Sequence, residues 1–284
     1  MLQELRLTVL VDSSAPFAVS SLWAQHGLSI FLKLDYGIET MKMLLDTGAG
    51  SEVLLHNADA LNIDLSCLDL ICLSHGHYDH TGGLMGILER SGRKICVLAH
   101  PEIFAAKLKM QPFLKFIGPP FSKEEVQAAG AVMLQCRGPV EIAPDVMTTG
   151  EVARQEAFET AEGFWTVKDG QYCQDNIPDD MALAIKIEGK GLAVISGCAH
   201  AGIINTIKHA QKITGVEEIY AVIGGFHLAD ADSKRIDATA EALRRLDPAI
   251  VRPSHCTGHK AICRLREVLG ERCLPLAVGD AMTL

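Results

Sequence analysis

The run His75-Gly76-His77-Tyr78-Asp79-His80 constrains this chain more than any other feature. Its imidazoles and carboxylate can converge on one point only where the backbone changes direction. Leu68 to Ser74 (LDLICLS) reads as a buried strand, and Thr81-Gly82-Gly83-Leu84 opens a helical stretch. The run therefore occupies a strand-to-helix loop. Strung along a regular helix or strand, the same side chains would diverge.

Imidazole and carboxylate together suit zinc, iron or manganese. A protein nitrogen set with one position left to water is the shell of a catalytic zinc. His75 and His77 lie two apart and can grip one ion from one side. Asp79 and His80 are adjacent and point elsewhere, which suits a second ion. The expected cofactor is a pair of divalent ions, zinc first, with Mn, Fe or Mg as alternatives. The competing reading is a histidine-rich surface loop, and the strand-loop-helix setting argues against it.

More ligand candidates follow the same rule. His200 comes after the apolar strand ending Ile195-Ser196-Gly197-Cys198, His227 after Ile223-Gly224-Gly225, and His255 after Ile250-Val251-Arg252-Pro253-Ser254. Each time an apolar strand ends in small residues or proline and then delivers a histidine. Loops at one sheet edge can meet in space, so His200 and His255 join the expected ligands and His227 stays near the site. Asp46, in Leu44-Leu45-Asp46-Thr47-Gly48, ends another apolar strand. Its expected role is to accept the outward N–H of a ligand imidazole and fix its tautomer. His26, His56, His100, His209 and His259 lack such placement and stay as background.

At 284 residues, 48% hydrophobic and 21% charged, the chain is long enough for one large domain or two small ones. A net charge of −9 without a Lys/Arg cluster argues against a nucleic-acid partner. No apolar run approaches the ~20 residues needed to span a bilayer. The start of the chain lacks a cationic segment and cleavage site, so a cytoplasmic location is expected. Nine scattered cysteines without a CxxC pair read as reduced, mostly buried thiols.

The coarse element order is strand-rich at first: Leu5 to Val11, Leu28 to Leu34 and Met41 to Leu45, then a helix from Val53 to Leu61 with Ser51 as its cap. The strand at Leu68, the Thr81 helix and a strand at Ile95 to Ala99 follow. Residues 101–149 are proline-rich, with helical pieces at Pro101 to Leu108 and Lys123 to Ala129, and read as a cap or insertion walling a substrate site. Lys107, Lys109 and Lys115 within it are candidates to face an anionic substrate group, although lysine is mostly plain surface. The last third alternates: a hairpin of Met181 to Ile187 and Leu192 to Ile195, then helices at Ile203 to Ile213, Ser233 to Leu246 and Lys260 to Leu269. Strands at Ile219 to Ile223, Ile250 to Arg252 and Leu274 to Val278 separate and follow these helices. Strands interleaved with helices predict layered sheets with helices outside.

The histidine run, preceded by Leu45-Asp46-Thr47-Gly48, resembles the metallo-β-lactamase superfamily. The resemblance covers about residue 27 to the end. It implies a single domain over residues 1–284 with an αββα sandwich of two mixed sheets flanked by helices, and two metals at one edge. A narrower likeness lies in Ser196-Gly197-Cys198-Ala199-His200-Ala201-Gly202-Ile203-Ile204-Asn205-Thr206, Gly224-Gly225-Phe226-His227-Leu228 and Pro253-Ser254-His255-Cys256-Thr257-Gly258. These segments resemble the branch named for dihydropterin-6-ylmethyl-ribofuranosylaminobenzene-phosphate synthase. The wider superfamily places a bridging aspartate where Cys198 stands, and a further site histidine in a stretch where this chain has none between His100 and His200. Cys198 is thus a candidate thiolate ligand.

The expected activity is metal-dependent hydrolysis of a phosphoester or related ester through a metal-bound hydroxide, with Asp79 orienting it or taking its proton. The alternative is the transferase implied by the branch, coupling a dihydropterin-6-ylmethyl diphosphate to an aryl-ribose phosphate. A di-iron redox protein or a non-catalytic ligand-binding protein is a further alternative. The partner is expected to be a small molecule, a phosphorylated one among the candidates; the sequence leaves the oligomeric state open.

Overall fold

Side-by-side parallel strands place their C-terminal ends at one edge of a sheet, so the loops leaving them start at a common level. The computed structural model describes residues 1–110 and 112–284. It divides into two compact units. Each has a sheet of this kind.

The first unit comprises Glu4–Arg137, Glu162–Asp179 and Ala277–Leu284. Its seven-stranded sheet runs Ala281–Thr283, Glu4–Val11, Ser29–Asp35, Thr40–Leu45, Leu70–Cys72, Ile95–Ala99, Ala131–Gln135. The first four are antiparallel neighbours, and pairing is parallel from Thr40–Leu45 onward. Leu45 pairs with Cys72 and Cys72 with Leu98, so Asp46, the histidine run and His100 all leave from one level. Helices Ser51–Ala60, Leu84–Ser91 and Lys123–Ala128 bury Leu54, Ala58, Ile87, Leu88 and Val126 against Leu44, Ile71 and Val97 of this sheet. Each such aliphatic side chain contributes about 1.5–3 kcal/mol by leaving water. A four-stranded antiparallel sheet, Gln171–Gln174, Phe164–Lys168, Leu108–Lys109 and Lys115–Phe116, belongs to the same unit.

The second unit comprises Met1–Gln3, Gly138–Ala161 and Asp180–Leu276. Its six-stranded sheet runs Ile250–Ser254, Ile219–Gly225, Gly191–Ser196, Ala182–Ile187, Val146–Thr148, Val140–Ala143. The first three strands are parallel, and Ser196, Gly224 and Pro253 stand in register. Helices Ile203–Thr214, Ser233–Leu246 and His259–Leu269 lay Ile203, Ile207, Ile236, Leu243 and Leu265 on Val194, Val222 and Val251. The Ser233–Leu246 helix is capped by Asp232, whose carboxylate accepts the Arg235 N–H at 2.8 Å.

Several expectations need correction. Gly50, not Ser51, is the cap of the first helix. The Thr81 helix is split into Tyr78–Thr81 and Leu84–Ser91. Gly82 and Gly83 press so closely on the Ala49 and Thr47 carbonyls that a Cβ would lie 2.1 and 2.2 Å from them. Residues 101–149 are woven into all three sheets, because Ala131–Gln135 and Val146–Thr148 find hydrogen-bonding neighbours far away in sequence. The expected Leu274 to Val278 strand is irregular. Leu274 and Leu276 donate to Val251 and Pro253, but Pro275 between them has no N–H, and the last strand is Ala281–Thr283. The Phe164–Lys168/Gln171–Gln174 hairpin had not been anticipated. Among the described residues, no helix is long and apolar enough to cross a membrane.

Candidate metal centre

In the first unit, Asp46 organises the ligand run. It adopts a left-handed backbone at φ 60°, which turns its carboxylate back toward the next loop. One oxygen accepts the Ser74 N–H at 2.7 Å; the other accepts the Ser74 hydroxyl at 2.7 Å and faces His80 Nδ1 at 2.7 Å. With the Nδ1 proton held there, His80 Nε2 keeps its lone pair for a metal. His75 Nε2 lies 2.8 Å from His77 Nδ1, and the His75 and His80 ring centroids are 4.2 Å apart. His75, His77, Asp79 and His80 are all buried. Burial, then the neighbouring His80 and His77, pushes His75 well below its ordinary 6.5, so it stands as a neutral imidazole at physiological pH. A buried set of imidazole nitrogens and one carboxylate fits a divalent ion of the zinc, manganese or iron class.

Asp79 Oδ2 sits 3.7 Å from His80 Nε2 and 3.2 Å from His26 Nε2. His26 was background in the sequence, because no strand pattern precedes it; only tertiary packing brings it to Asp79. His100 accepts the Glu102 N–H at 3.1 Å, capping a short 3-10 turn. Lys107 is buried and pairs with Asp179 and with Asp175, the latter at 3.2 Å. Asp179 Oδ2 in turn accepts the Gly76 N–H at 2.8 Å. Lys107 thus braces the histidine loop from behind. Lys109 and Lys115 stand directly opposite each other across the small sheet, both exposed, beside Phe164 in the same cross-strand row. The Lys109 ammonium lies 6.0 Å from the Phe164 ring centroid, and Phe164 stacks on His77 at 5.2 Å.

In the second unit, the three parallel strands deliver Cys198, His200, His227 and His255 from one edge. The ligand atoms of Cys198, His200 and His227 lie within 4.8 Å of one another, as do those of Cys198, His255 and Cys256. Cys256 joins this group only through tertiary packing, because a cysteine next to a histidine carries no spacing signal in the sequence. Burial would raise its thiol, but the Cys198 hydrogen bond and the nearby His255 and His227 bring it well below its ordinary 9.0. The loop bearing His200 is pinned by its neighbours: the Arg154 guanidinium donates to the His200 carbonyl at 2.9 Å, and Ala201 N–H to Asp180 at 2.8 Å.

Glu159, buried, caps the helix that follows His200 by accepting the Ile204 and Asn205 N–H groups at 2.8 and 2.7 Å. Burial pushes its carboxyl up to about 7 despite those bonds and the Arg235 charge. The folded state therefore binds this proton more tightly than the unfolded chain. The group favours folding most below about pH 4.5, and that benefit is lost as pH rises to about 7, roughly 3 kcal/mol in all. Comparing denaturant stabilities of the wild type and Glu159→Gln from pH 5 to 8 should show this slope in the wild type only; parallel profiles would refute it.

With this geometry in hand, relatives become informative. The sequence profile of the metallo-β-lactamase superfamily matches residues 36–164. The 7,8-dihydropterin-6-methyl-4-(β-D-ribofuranosyl)-aminobenzene-5'-phosphate synthase of Methanocaldococcus jannaschii is 38% identical over 248 residues, 85% of this chain and 84% of that one. The chain belongs to the metallo-β-lactamase superfamily. An uncharacterized protein of the same organism is 32% identical over 92% of this chain and 94% of its own. Among solved structures, a metal-dependent hydrolase of the β-lactamase superfamily superposes with a TM-score of 0.83, at 26% identity and covering 98% of both chains. YhfI of Bacillus subtilis, a metallo-β-lactamase fold protein, shares the fold at TM-score 0.54 and 13% identity, covering 99% of this chain and 100% of that one. The metallo-β-lactamase fold expected from the sequence is therefore the fold of this chain.

Proposed function

We propose that this superfamily enzyme is a transferase that couples a dihydropterin-6-ylmethyl diphosphate to an aryl-ribose phosphate, rather than the phosphoester hydrolase first expected. The observation that carries this reading is the 38% identity to a synthase across 85% of the chain. In the proposed reaction the aryl amine attacks the pterin methylene carbon, the carbon–oxygen bond to diphosphate breaks, and diphosphate leaves with the electron pair. The amine gives up a proton, for which Asp79, within reach of His26, is the proposed acceptor.

The proposed metal ligands are His75, His77, Asp79, His80, His200 and His255, with Asp46 orienting His80. Bound divalent ions, zinc in this proposal, would supply Lewis acidity toward the departing diphosphate. Lys109 and Lys115 are proposed to hold a substrate phosphate. Two ammoniums placed opposite each other across a sheet repel, and an anion between them relieves that repulsion. The double variant Lys109→Ala/Lys115→Ala should raise KM for the phosphorylated substrate at least about tenfold, a loss of about 1.4 kcal/mol. Its KM for the dephosphorylated analogue should stay unchanged, and an equal effect on both would refute phosphate recognition.

A second reading, hydrolysis, is favoured by the likeness to the metal-dependent hydrolase at 26% identity. One experiment separates the two. The metal-loaded protein is incubated with the pterin diphosphate, with and without the aryl-ribose phosphate. A coupled product with stoichiometric diphosphate supports transfer. Diphosphate release without coupling, together with turnover of simple phosphoesters, supports hydrolysis and overturns transfer. Iron and a visible chromophore in the purified protein would instead point to redox chemistry.

A further inference from the structure

Sulfur occupies an unexpectedly central place in the second unit. Cys198 belongs to both ligand groups there, one with His200 and His227, the other with His255 and Cys256, each with its ligand atoms within 4.8 Å of one another. The two sulfurs are close, and neither cysteine forms a disulfide. The backbone is arranged to achieve this. Ala199, His227 and His255, which flank or belong to the cluster, all take left-handed conformations at φ 54°, 48° and 49°. Such backbone costs about 1–2 kcal/mol per non-glycine residue. Strain of this kind persists where surrounding structure over-determines it, and it gathers at functional sites.

Gly225 adds a second sign. A Cβ there would lie 2.4 Å from the Gly197 carbonyl oxygen, 2.7 Å from the Cys256 sulfur and 3.3 Å from the Cys198 Cα, so glycine lets the neighbouring strand end and that thiol pack against it together. Cys256 Sγ accepts the His227 N–H at 3.3 Å, which orders the sulfur between the two histidine loops. A pair of cysteines filling core space would need none of these arrangements; a Val or Ala would serve.

We infer that Cys198 and Cys256 are metal ligands, their thiolates adding to the donor set that His200, His227 and His255 offer in the second unit. Thiolate donors select zinc and other thiophilic ions over magnesium and manganese, so the inference also fixes the class of metal. It rests on the metal-binding reading of these loops and is independent of which reaction the enzyme performs.

The test uses the full-length protein and the metal alone. X-ray absorption at the zinc edge of the zinc-loaded wild type should show sulfur scatterers at about 2.3 Å beside the lighter ligands at about 2.0–2.1 Å. The cobalt-substituted wild type should show a sulfur-to-cobalt charge-transfer band. Cys198→Ser should abolish most of that band and weaken zinc binding at least about tenfold. Cys256→Ser should remove part of it, and Cys263→Ser, at an exposed cysteine, should leave it intact. Only nitrogen and oxygen around zinc in the wild type would overturn the inference, even if both variants failed to fold. A charge-transfer band that survives in the folded Cys198→Ser/Cys256→Ser double variant would overturn it as well. Absence of coupled product in the transferase assay, with sulfur ligation present, would defeat only the proposed reaction.

Discussion

Replacing Asp46 with alanine is expected to lower stability by about 3–5 kcal/mol and to weaken binding of a divalent metal at the proposed ligands. The carboxylate partners the Ser74 N–H, the Ser74 hydroxyl and His80 Nδ1, all buried. Alanine leaves these groups without their partner in a site that excludes water, at about 1–3 kcal/mol for each that stays unsatisfied. The left-handed backbone at φ 60° adds a smaller cost, since alanine tolerates it less well than aspartate or asparagine. Asp46→Asn separates the two effects. Asparagine keeps the backbone conformation and a carbonyl oxygen, so the fold should hold. It no longer secures the His80 tautomer through a charged acceptor, and zinc affinity should fall about 10–100-fold. Competition titration with a zinc chelator and thermal denaturation measure the two quantities; an Asp46→Asn variant that binds zinc as tightly as the wild type would remove the orienting role.

The second large effect is expected at Lys107. Its ammonium is buried between Asp175 and Asp179, themselves buried. Burial alone would draw the lysine down, but Asp179 and then Asp175 hold it above its ordinary 10.5. Its stabilising share is therefore complete below about pH 10.5 and is lost only as pH rises beyond that. Lys107→Met strands two carboxylates without a counter-charge, at about 3–5 kcal/mol. Because Asp179 also holds the Gly76 N–H, the histidine loop should loosen and metal affinity should fall with stability. Removing the charges together, in Lys107→Met/Asp175→Asn/Asp179→Asn, should restore much of the lost stability. Urea denaturation of the set decides it. A Lys107→Met protein as stable as wild type would show that the cluster does not brace the loop.

These two sites show where sequence reading succeeds and where it stops. Helix Ser233–Leu246 and strand Ile95–Ala99 were legible to the residue, because each carries a clear hydrophobic period between recognisable ends. Asp46 was legible as a partner for a histidine of the run because it ends an apolar strand. Lys107, by contrast, read as one of three lysines with a claim on substrate. Its burial depends on Asp175 and Asp179, more than sixty residues away, and nothing local announces that pairing. His26 and Cys256 were missed for the same reason. The 101–149 stretch read as a cap because its prolines and short strands hide the fact that Leu108–Lys109, Ala131–Gln135 and Val146–Thr148 each pair with a strand outside it.

Residue order alone determined the superfamily, most of the succession of elements and which side chains are candidate ligands, since these follow from side-chain type and from periodicities within a dozen residues. Only the tertiary structure decided which imidazole Asp46 orients, which lysine braces the loop, and that Cys198 stands in two ligand groups at once. Such relations join atoms brought close by packing, and the energy that holds them comes from burial and pairing that no local stretch of chain encodes.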